Sequence, residues 1–439
     1  MIKENIVLYT PPHRGACDIA IIGAGAAGLM AAIAAGRAGG GKVVAVDGAA
    51  KVGAKILVAG GGRCNVTHDV VDESAYAGSS RNAIRKVLGR FGVAETIGFF
   101  RDWGVELKRE ETGKLFPTTD DARTVLNALL AAAREAGVDL RHPWRVGAVE
   151  RDGEGFVVTR AGAAGEGLRA ARVVLATGGL ALPKTGSDGQ GYAFARELGH
   201  TVMPTLPALV PLTLARGHFL TGLSGITVPA TLELRAASGK RLASFTDSTL
   251  LTHFGVSGPS VLDISRYYLA AVAEARVAGA AAPSLVIGFL PHHTFESLDR
   301  ALLDAARATP QVSAARFVSD HGRPPLPERL ARTLCEHAGV EPGAALHTLS
   351  RDARRGLAAA ATELALPVTG DRGYTYAEVT AGGVPLSEIN LATMESRVCR
   401  GLYLCGEICD VDGRIGGYNF QWAWASGWVA GSAAASGAA

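Results

Sequence analysis

The sequence is poor in aromatic residues, 6% of its 439 positions, and in charge, 19%. Its 44 basic and 41 acidic residues nearly cancel, leaving a formal net charge of +3. No overall field therefore marks the chain for nucleic acid or for an anionic membrane surface. Only six cysteines occur, at 17, 64, 335, 399, 405 and 409, with no C-x-x-C pair and no zinc-like Cys/His spacing. A disulfide framework and a metal site are not expected, and a reducing, cytoplasmic compartment is. Long apolar runs are missing too. Ile19 to Gly36 and Gln421 to Ala439 carry no charge, but they are built largely from Ala, Gly and other small residues and fall short of about 20 strongly apolar positions. Neither a signal peptide nor a membrane segment is expected.

What the chain has in quantity is glycine, 56 residues, and a length that accommodates two or three domains at about 100–200 residues each. Asp18 to Ile22 reads as a buried strand, Ala26 to Ala38 as a helix and Lys42 to Val46 as a second strand, together a βαβ unit. Val52 to Asn65 reads as glycine-rich loop. Two helices are expected over Asn82 to Trp103, and another over Asp121 to Ala136 with an acidic first turn. Runs between Trp144 and Arg172, broken at Asp152-Gly153 and Gly165-Glu166-Gly167, predict a strand meander returning through Val173 to Ala176. Short strand-like runs after Leu206-Pro207 mark a β-rich unit, and Ala/Leu-rich stretches punctuated by Pro310, Pro324-Pro325 and Pro342-Gly343 mark a helical insert. The expected division is 1–200 and 377–439 for one domain, 201–290 and 363–376 for the β-rich domain within it, and 291–362 for the insert.

Chemistry enters at Gly23-x-Gly25-x-x-Gly28, between the first strand and helix, with Asp47 at the end of the second strand. Gly23 suits a tight turn, Gly25 lets backbone approach a pyrophosphate, and Gly28 allows close packing. The helix start at Ala26 and Ala27 offers free amides to phosphate, while Asp47, followed by Gly48, can accept from a ribose diol. Further segments favour FAD over a nicotinamide dinucleotide as the resident cofactor. Ala176-Thr177-Gly178-Gly179 ends a strand. Near the other terminus, Gly406-Glu407 is followed by Asp410, Asp412 and the helix start Gly416-Gly417-Tyr418-Asn419. Such a helix start near the flavin's pyrimidine edge would stabilise the negative charge that gathers there on reduction. An ordinary glycine-rich helix start is the alternative. No second Gly-x-Gly-x-x-Gly follows a strand in mid-chain, so NAD(P)H is expected as a transient electron donor.

These residues resemble the YhiN/BaiN-type FAD-dependent oxidoreductases over nearly the whole chain. The resemblance rests on Asp18 to Gly28, Lys51-x-Gly-x-Lys55, Gly60-Gly-Gly-Arg-Cys-Asn65, Thr252-His-Phe-Gly-x-Ser-Gly-Pro259, Thr380-Ala-Gly-Gly383, and Gly406-Glu-x-x-Asp-x-Asp-Gly413 running into Gly416-Gly-Tyr-Asn-x-Gln421. It implies an α/β fold: an FAD-binding Rossmann-like domain of the glutathione-reductase type, interrupted by a β-barrel-like domain carrying a small helical insert. It also implies reduction of an electron-poor C=C bond with NAD(P)H as electron source. The substrate is either a uridine of large-subunit ribosomal RNA, reduced to dihydrouridine, or a small unsaturated molecule. Asp47 departs from the Glu common in this broad class, which shortens the reach to the ribose.

Within these strings, Lys55, Gly61, Gly62, Arg63 and Asn65 are expected at the cofactor, and Lys51, Lys55 and Arg63 read as anion-facing or as a solvated loop. Cys64 has no cysteine four or five residues away, so a local disulfide relay is excluded. It either packs against core and flavin or takes part in redox chemistry. His253 either delivers the proton that hydride addition to a C=C bond requires, or merely bonds backbone in its loop. Arg81, Arg85, Lys86 and Arg90 could grip an RNA backbone, and equally form a solvated helix face. Two other functions stay open: a flavin oxidase of a small amine or aminoketone, and a non-catalytic FAD-binding redox sensor or RNA-binding scaffold.

Overall fold

Apolar residues dominate Gly15–Ile22 and Val43–Val46, Asp18 being the one charge, and both become parallel strands of one sheet. The protein is represented by a computed structural model that describes residues 15–163 and 166–436. Residues 1–14 of the first expected domain, Gly165 of the expected meander break and residues 437–439 of the tail lie outside the described residues. The chain divides into two units. One comprises the described residues up to Thr205 together with those from Val379 onward, and the other is Leu206–Glu378.

In the first unit the sheet runs Asp139–Arg141, Val43–Val46, Gly15–Ile22, Gly167–Leu175, Gly155–Arg160, Val146–Asp152. Gly167–Leu175 plays a double part. Its first half pairs antiparallel with the meander, and its second half, Val173 to Leu175, pairs in parallel with Leu402–Leu404 from the far end of the chain. Parallel strands buried on both faces read as continuous apolar runs, which is why these segments show little alternation.

The helix Ala26–Arg37 and the C-terminal helix Tyr418–Ser436 pack face to face. Small residues make this contact: a Cβ added to Gly427 would overlap the Ala27 carbonyl within 2.5 Å, and one on Gly431 would strike the carbonyl of Ala31. The Ala/Gly-rich tail is thus a buried core helix, apolar all round because it is covered all round. Among the described residues no helix is long and apolar enough to cross a membrane.

Two local expectations change. Within the loop expected over Val52 to Asn65 stands a helix starting at Ala54, whose regular turn ends where Ala59 turns extended and Gly60 and Gly61 turn left-handed. One turn is too short to print a period in the sequence, and its single buried anchor is Ile56. The helix after Asp121 is Ala122–Glu135, and Asp121 caps it by accepting from the Arg123 amide at 2.9 Å rather than lying in its first turn.

The second unit holds an antiparallel seven-stranded sheet. Its order is Leu364–Leu366, Ser284–Gly288, Thr227–Arg235, Arg241–Thr252, Gly255–Ser257, Leu212–Leu214, Val368–Asp371. The first and last strands of that order are consecutive in the chain, separated by Pro367 alone, so the two edges of the sheet meet there and it curls like a barrel. Helices Phe295–Ala308, Ala314–Asp320, Glu328–His337 and Arg351–Thr362 are inserted between Ser284–Gly288 and Leu364–Leu366, and share the apolar core of that sheet.

Candidate functional site

The turn after Gly15–Ile22 explains its own glycines. Gly23 has φ of 98°, and a Cβ there would overlap the Ala176 carbonyl; one on Gly28 would overlap the carbonyl of Gly23. These two glycines let the turn, the helix and the Ala176 segment close on one another. Gly25 is different. Its φ of −76° is open to any residue, and nothing lies within 4 Å of its Cβ position. It therefore faces open space, beside a helix start whose cap offers no side-chain hydrogen bond. The amides of Ala26, Ala27 and Gly28 have no intrahelical acceptor by helix geometry, which makes this end an anion cradle.

Asp47 sits at its rim. Its Oδ2 accepts from the Ala24 amide and its Oδ1 from the Ala49 amide, both at 2.7 Å, so the carboxylate is fixed while spare lone pairs remain. Gly48 beside it is exposed. The far end of the chain arrives at the same cradle: Gly406 follows the strand paired with Gly167–Leu175, and its amide donates to Ser426 Oγ at 2.9 Å. Trp422 Nε1 donates to the Gly406 carbonyl at 3.0 Å.

Glu407 is paired rather than free. Its Oε2 takes Lys55 Nζ at 2.6 Å and its Oε1 accepts from the Thr380 amide at 2.9 Å. Thr380 Oγ1 in turn accepts from the amides of Leu180 and Ala181 at 2.8 and 3.1 Å. Residues 55, 180, 380 and 407 form one knot. Thr380, at the centre of this knot, is a residue the sequence reading left without a role, although it lies in the Thr380-Ala-Gly-Gly383 string.

Arg63 donates to Glu110 at 2.6 Å, lies 3.5 Å from Asp120, and stacks over Phe116 at 4.0 Å; the Glu110 hydrogen bond raises its pKa further. Its charge is engaged by carboxylates. Gly61 and Gly62 form the left-handed turn ahead of it. Tyr418 stacks on His68, centroids 4.9 Å apart, and its carbonyl accepts from Tyr76 Oη at 2.8 Å. Asn419 clamps the backbone of Gly413, accepting from its amide and donating to its carbonyl at 2.8 Å each. Gly417 opens this helix, and Gly427, nine positions beyond Tyr418 and about 13 Å along the helix axis at 1.5 Å per residue, lies beside Ala27.

Two buried acceptors show that this unit fits a large polar ligand. Asn65 Oδ1 and Thr177 Oγ1 have no hydrogen-bond partner among the described residues. A buried polar atom left this way costs about 1–3 kcal/mol unless a ligand or water satisfies it. An FAD molecule brings phosphates for the open helix start and ring and ribose donors for such acceptors, so the residues present fit it. Gly178, left-handed beside Ser187, holds the Thr177 turn. Among the described residues no group of His, Cys, Asp or Glu is placed to hold a metal ion.

Cys64 is fully buried in the core of this unit, and burial pushes its thiol up to about 12. The folded protein keeps it protonated, whereas the unfolded chain releases the proton above its usual value near 9. Its contribution to stability is therefore whole below pH 9 and is lost as pH rises toward 12. Thiolate is the nucleophile, so alkylation of Cys64 by iodoacetamide at pH 8 is expected to run about a thousandfold slower in native than in urea-unfolded protein. Peptide mapping reads this out, and comparable labelling in the two states would overturn it.

His253 lies in the second unit, exposed on the turn between Arg241–Thr252 and Gly255–Ser257. Its ring stands edge-on to Phe254 at 5.1 Å and makes no hydrogen bond to backbone or side chain among the described residues. The residues expected at the nucleotide thus lie in one unit and His253 in the other.

The family model described as HI0933-like protein Rossmann domain matches residues 17–433. The 3-dehydro-bile acid delta(4,6)-reductase of Clostridium scindens is 36% identical over 95% of this chain and 98% of its own length. The ribosomal RNA dihydrouridine synthase of Escherichia coli K12 is 35% identical over 94% of this chain and 96% of its own. Among solved structures, the 3-ketosteroid delta1-dehydrogenase of Sterolibacterium denitrificans shares the fold at 13% identity, with a TM-score of 0.51 over 96% of this chain and 100% of that one. The chain belongs to the HI0933-like family of FAD-binding oxidoreductases and is itself an FAD-dependent oxidoreductase.

Proposed function

We propose that this protein reduces a C=C bond conjugated to a carbonyl group, with NAD(P)H as electron source, and that its substrate is a uridine of large-subunit ribosomal RNA. The observation that carries the first part is the chemistry shared by the two relatives' names. A 3-dehydro bile acid with double bonds at 4 and 6 is a conjugated ketone, and dihydrouridine is uridine saturated across the bond conjugated to its C4 carbonyl. FAD, when bound, supplies the hydride. The residues of this chain bind, orient and move a proton.

In this reading the open amides at Ala26, Ala27 and Gly28 hold the pyrophosphate, and Asp47 the ribose. Asn65 and Thr177 satisfy their buried acceptors on the cofactor, and His253 delivers the proton that the second carbon needs. Lys55 and Glu407 neutralise each other and fix the Gly406 turn. Arg63 and Asn419 act through the backbone and carboxylates they hold.

The RNA half of the proposal is supported by the helix Arg81–Leu88. It buries Ala83, Ile84, Val87 and Leu88, and leaves Arg81, Arg85 and Lys86 exposed, with Arg90 just beyond. A cytoplasmic setting belongs to the same reading, and the six free, buried cysteines support it.

The test is to delete the gene in its host and analyse large-subunit ribosomal RNA for dihydrouridine. Loss of one modified site, restored by the wild-type gene, is the expected result. An unchanged RNA profile, together with NAD(P)H-dependent reduction of a 3-oxo-4,6-diene bile acid by the purified protein, would transfer the activity to a small enone.

A further inference from the structure

We infer that Lys114 raises the reduction potential of the bound flavin, its ammonium facing the pyrimidine edge of the ring at the Gly416-Gly417 helix start. The inference rests on the placing of FAD in the first unit and needs no part of the substrate reading.

A small antiparallel sheet sets the position of this side chain. Its strands run in the order Thr67–His68, Lys114–Pro117, Leu107–Arg109, and all three lie in the first unit. His68 pairs with Lys114 and Lys108 with Phe116. Paired residues and residues two apart on a strand share a face, so these four side chains project from one side of the sheet. Two of the strings expected at the cofactor meet that side. Phe116 carries the Arg63 guanidinium at 4.0 Å, and its ring stands 2.9 Å from where a Cβ on Gly60 would lie. At the other end of the strand, a Cβ on Gly416 would lie 3.7 Å from Lys114 Cε, 3.6 Å from His68 Cδ2 and 3.3 Å from Tyr418 Cε2. Lys114 thus reaches the backbone where the helix Tyr418–Ser436 begins, its first turn closed by the Gln421 amide on the Gly417 carbonyl at 2.9 Å.

The neighbouring cations are spent. Lys108 is paired with Asp120, Arg109 with Asp69 and Arg63 with Glu110. His68 is occupied as well: Nε2 donates to the Thr112 carbonyl at 2.9 Å, Nδ1 accepts from the Val70 amide at 3.2 Å, and the ring face stacks on Tyr418. Among the described residues the half-buried Lys114 ammonium makes no hydrogen bond or ion pair. Its position is unfavourable by itself, because a helix N-terminus is a positive end and repels a cation. One anionic group between them satisfies both. A second sign of a ligand lies in the same sheet's approach. Asn65, 8% exposed, leaves Oδ1 without a partner one residue before Val66, whose amide bonds the Leu115 carbonyl at 2.9 Å. Reduction of FAD by NAD(P)H puts a hydride on the N5 ring nitrogen and leaves one negative charge spread over N1 and the C2 carbonyl. The Lys114 ammonium balances that charge and keeps its own proton. Holding the reduced ring more tightly than the oxidised one makes its reduction easier.

The experiment compares FAD-loaded wild type with Lys114→Met, Lys114→Gln, Lys114→Arg and Lys108→Met. The two-electron midpoint potential is read by equilibration with a redox dye in the absence of oxygen, and oxidised FAD is titrated into each flavin-free protein. Lys114→Met and Lys114→Gln are expected to bind oxidised FAD within threefold of wild type and to lose about tenfold in affinity for reduced relative to oxidised flavin. For a two-electron couple that is a potential lower by about 30 mV. Lys114→Arg, which keeps the charge, and Lys108→Met, which removes a cation already held by Asp120, should each stay within threefold of wild type in that ratio. The polar Lys114→Gln guards against a folding defect in Lys114→Met. If both leave the ratio within threefold of wild type, or Lys108→Met moves it as far as they do, the inference falls while FAD keeps its place. If Gly25→Val protein binds FAD as tightly as wild type, the placing of the flavin falls and takes the inference with it.

Discussion

Gly25→Val protein is expected to fold normally and to purify without flavin. Gly25 has φ of −76° and ψ of −165°, an extended conformation that valine adopts without strain, and no atom lies within 4 Å of the position its Cβ would take. The folded chain therefore meets no clash and no backbone strain, and gives up only the modest preference of a helix N-cap for glycine over valine. What the side chain does occupy is the space through which a phosphate must reach the amides of the helix start. Each hydrogen bond to a charged group is worth about 1.5–3 kcal/mol. Losing two of them would weaken FAD by about 10² to 10⁴ in affinity. The flavin absorbance of the purified protein, its FAD titration and the melting temperature of the flavin-free form measure the two halves separately. Gly23→Val gives the contrast. At φ of 98° and against the Ala176 carbonyl it damages the turn itself, so its melting temperature falls along with its flavin. A yellow Gly25→Val protein, or an unfolded one, would remove the assignment of this turn to the pyrophosphate.

The legible features of this chain were those written in local period and local backbone need. The βαβ unit was readable because Asp18 to Ile22 and Lys42 to Val46 are buried strands flanking an Ala-rich helix, and the glycine turn because a left-handed residue and two close approaches admit little else. The α/β class with an inserted β-rich unit followed from the same patterns. The knot of Lys55, Glu407 and Thr380 was not readable, since its ion pair joins residues 352 apart and Thr380 meets Leu180 across 200 positions. Nothing in local spacing records which of several cations meets which acid. Lys55 and Arg63 therefore read alike as anion-facing groups, whereas the fold gives one to Glu407 and the other to Glu110. The contact of Arg372 with the Phe254 ring was unreadable for the same reason, since Phe254 lies over a hundred residues earlier and Gly370-Asp-Arg-Gly373 reads simply as a turn. His253 carried a local signal, but its two alternatives could be weighed only once its ring was seen to bond no backbone.

Replacing His253 by alanine should slow one half of the catalytic cycle and spare the other. The oxidation of NAD(P)H needs no proton on a carbon, so the half in which the donor is consumed is expected to change by less than about twofold. Saturation of the C=C bond needs a hydride at one carbon and a proton at the other, and a positioned general acid typically contributes about 10²–10⁴ in rate. The half in which substrate is consumed is expected to slow by about 10². Exposure of the imidazole on its turn leaves room for a small molecule to replace it, so added imidazole should recover part of the lost rate in His253→Ala. Rapid mixing of each half-reaction, without oxygen, reads both numbers. In deuterium oxide the wild type should place solvent deuterium at the carbon next to the carbonyl, because an exposed histidine exchanges its proton with water before each turnover. Equal slowing of both halves would point instead to a disturbed fold. An unaltered substrate half would pass the proton to another group and leave His253 as a loop residue that happens to lie beside Phe254.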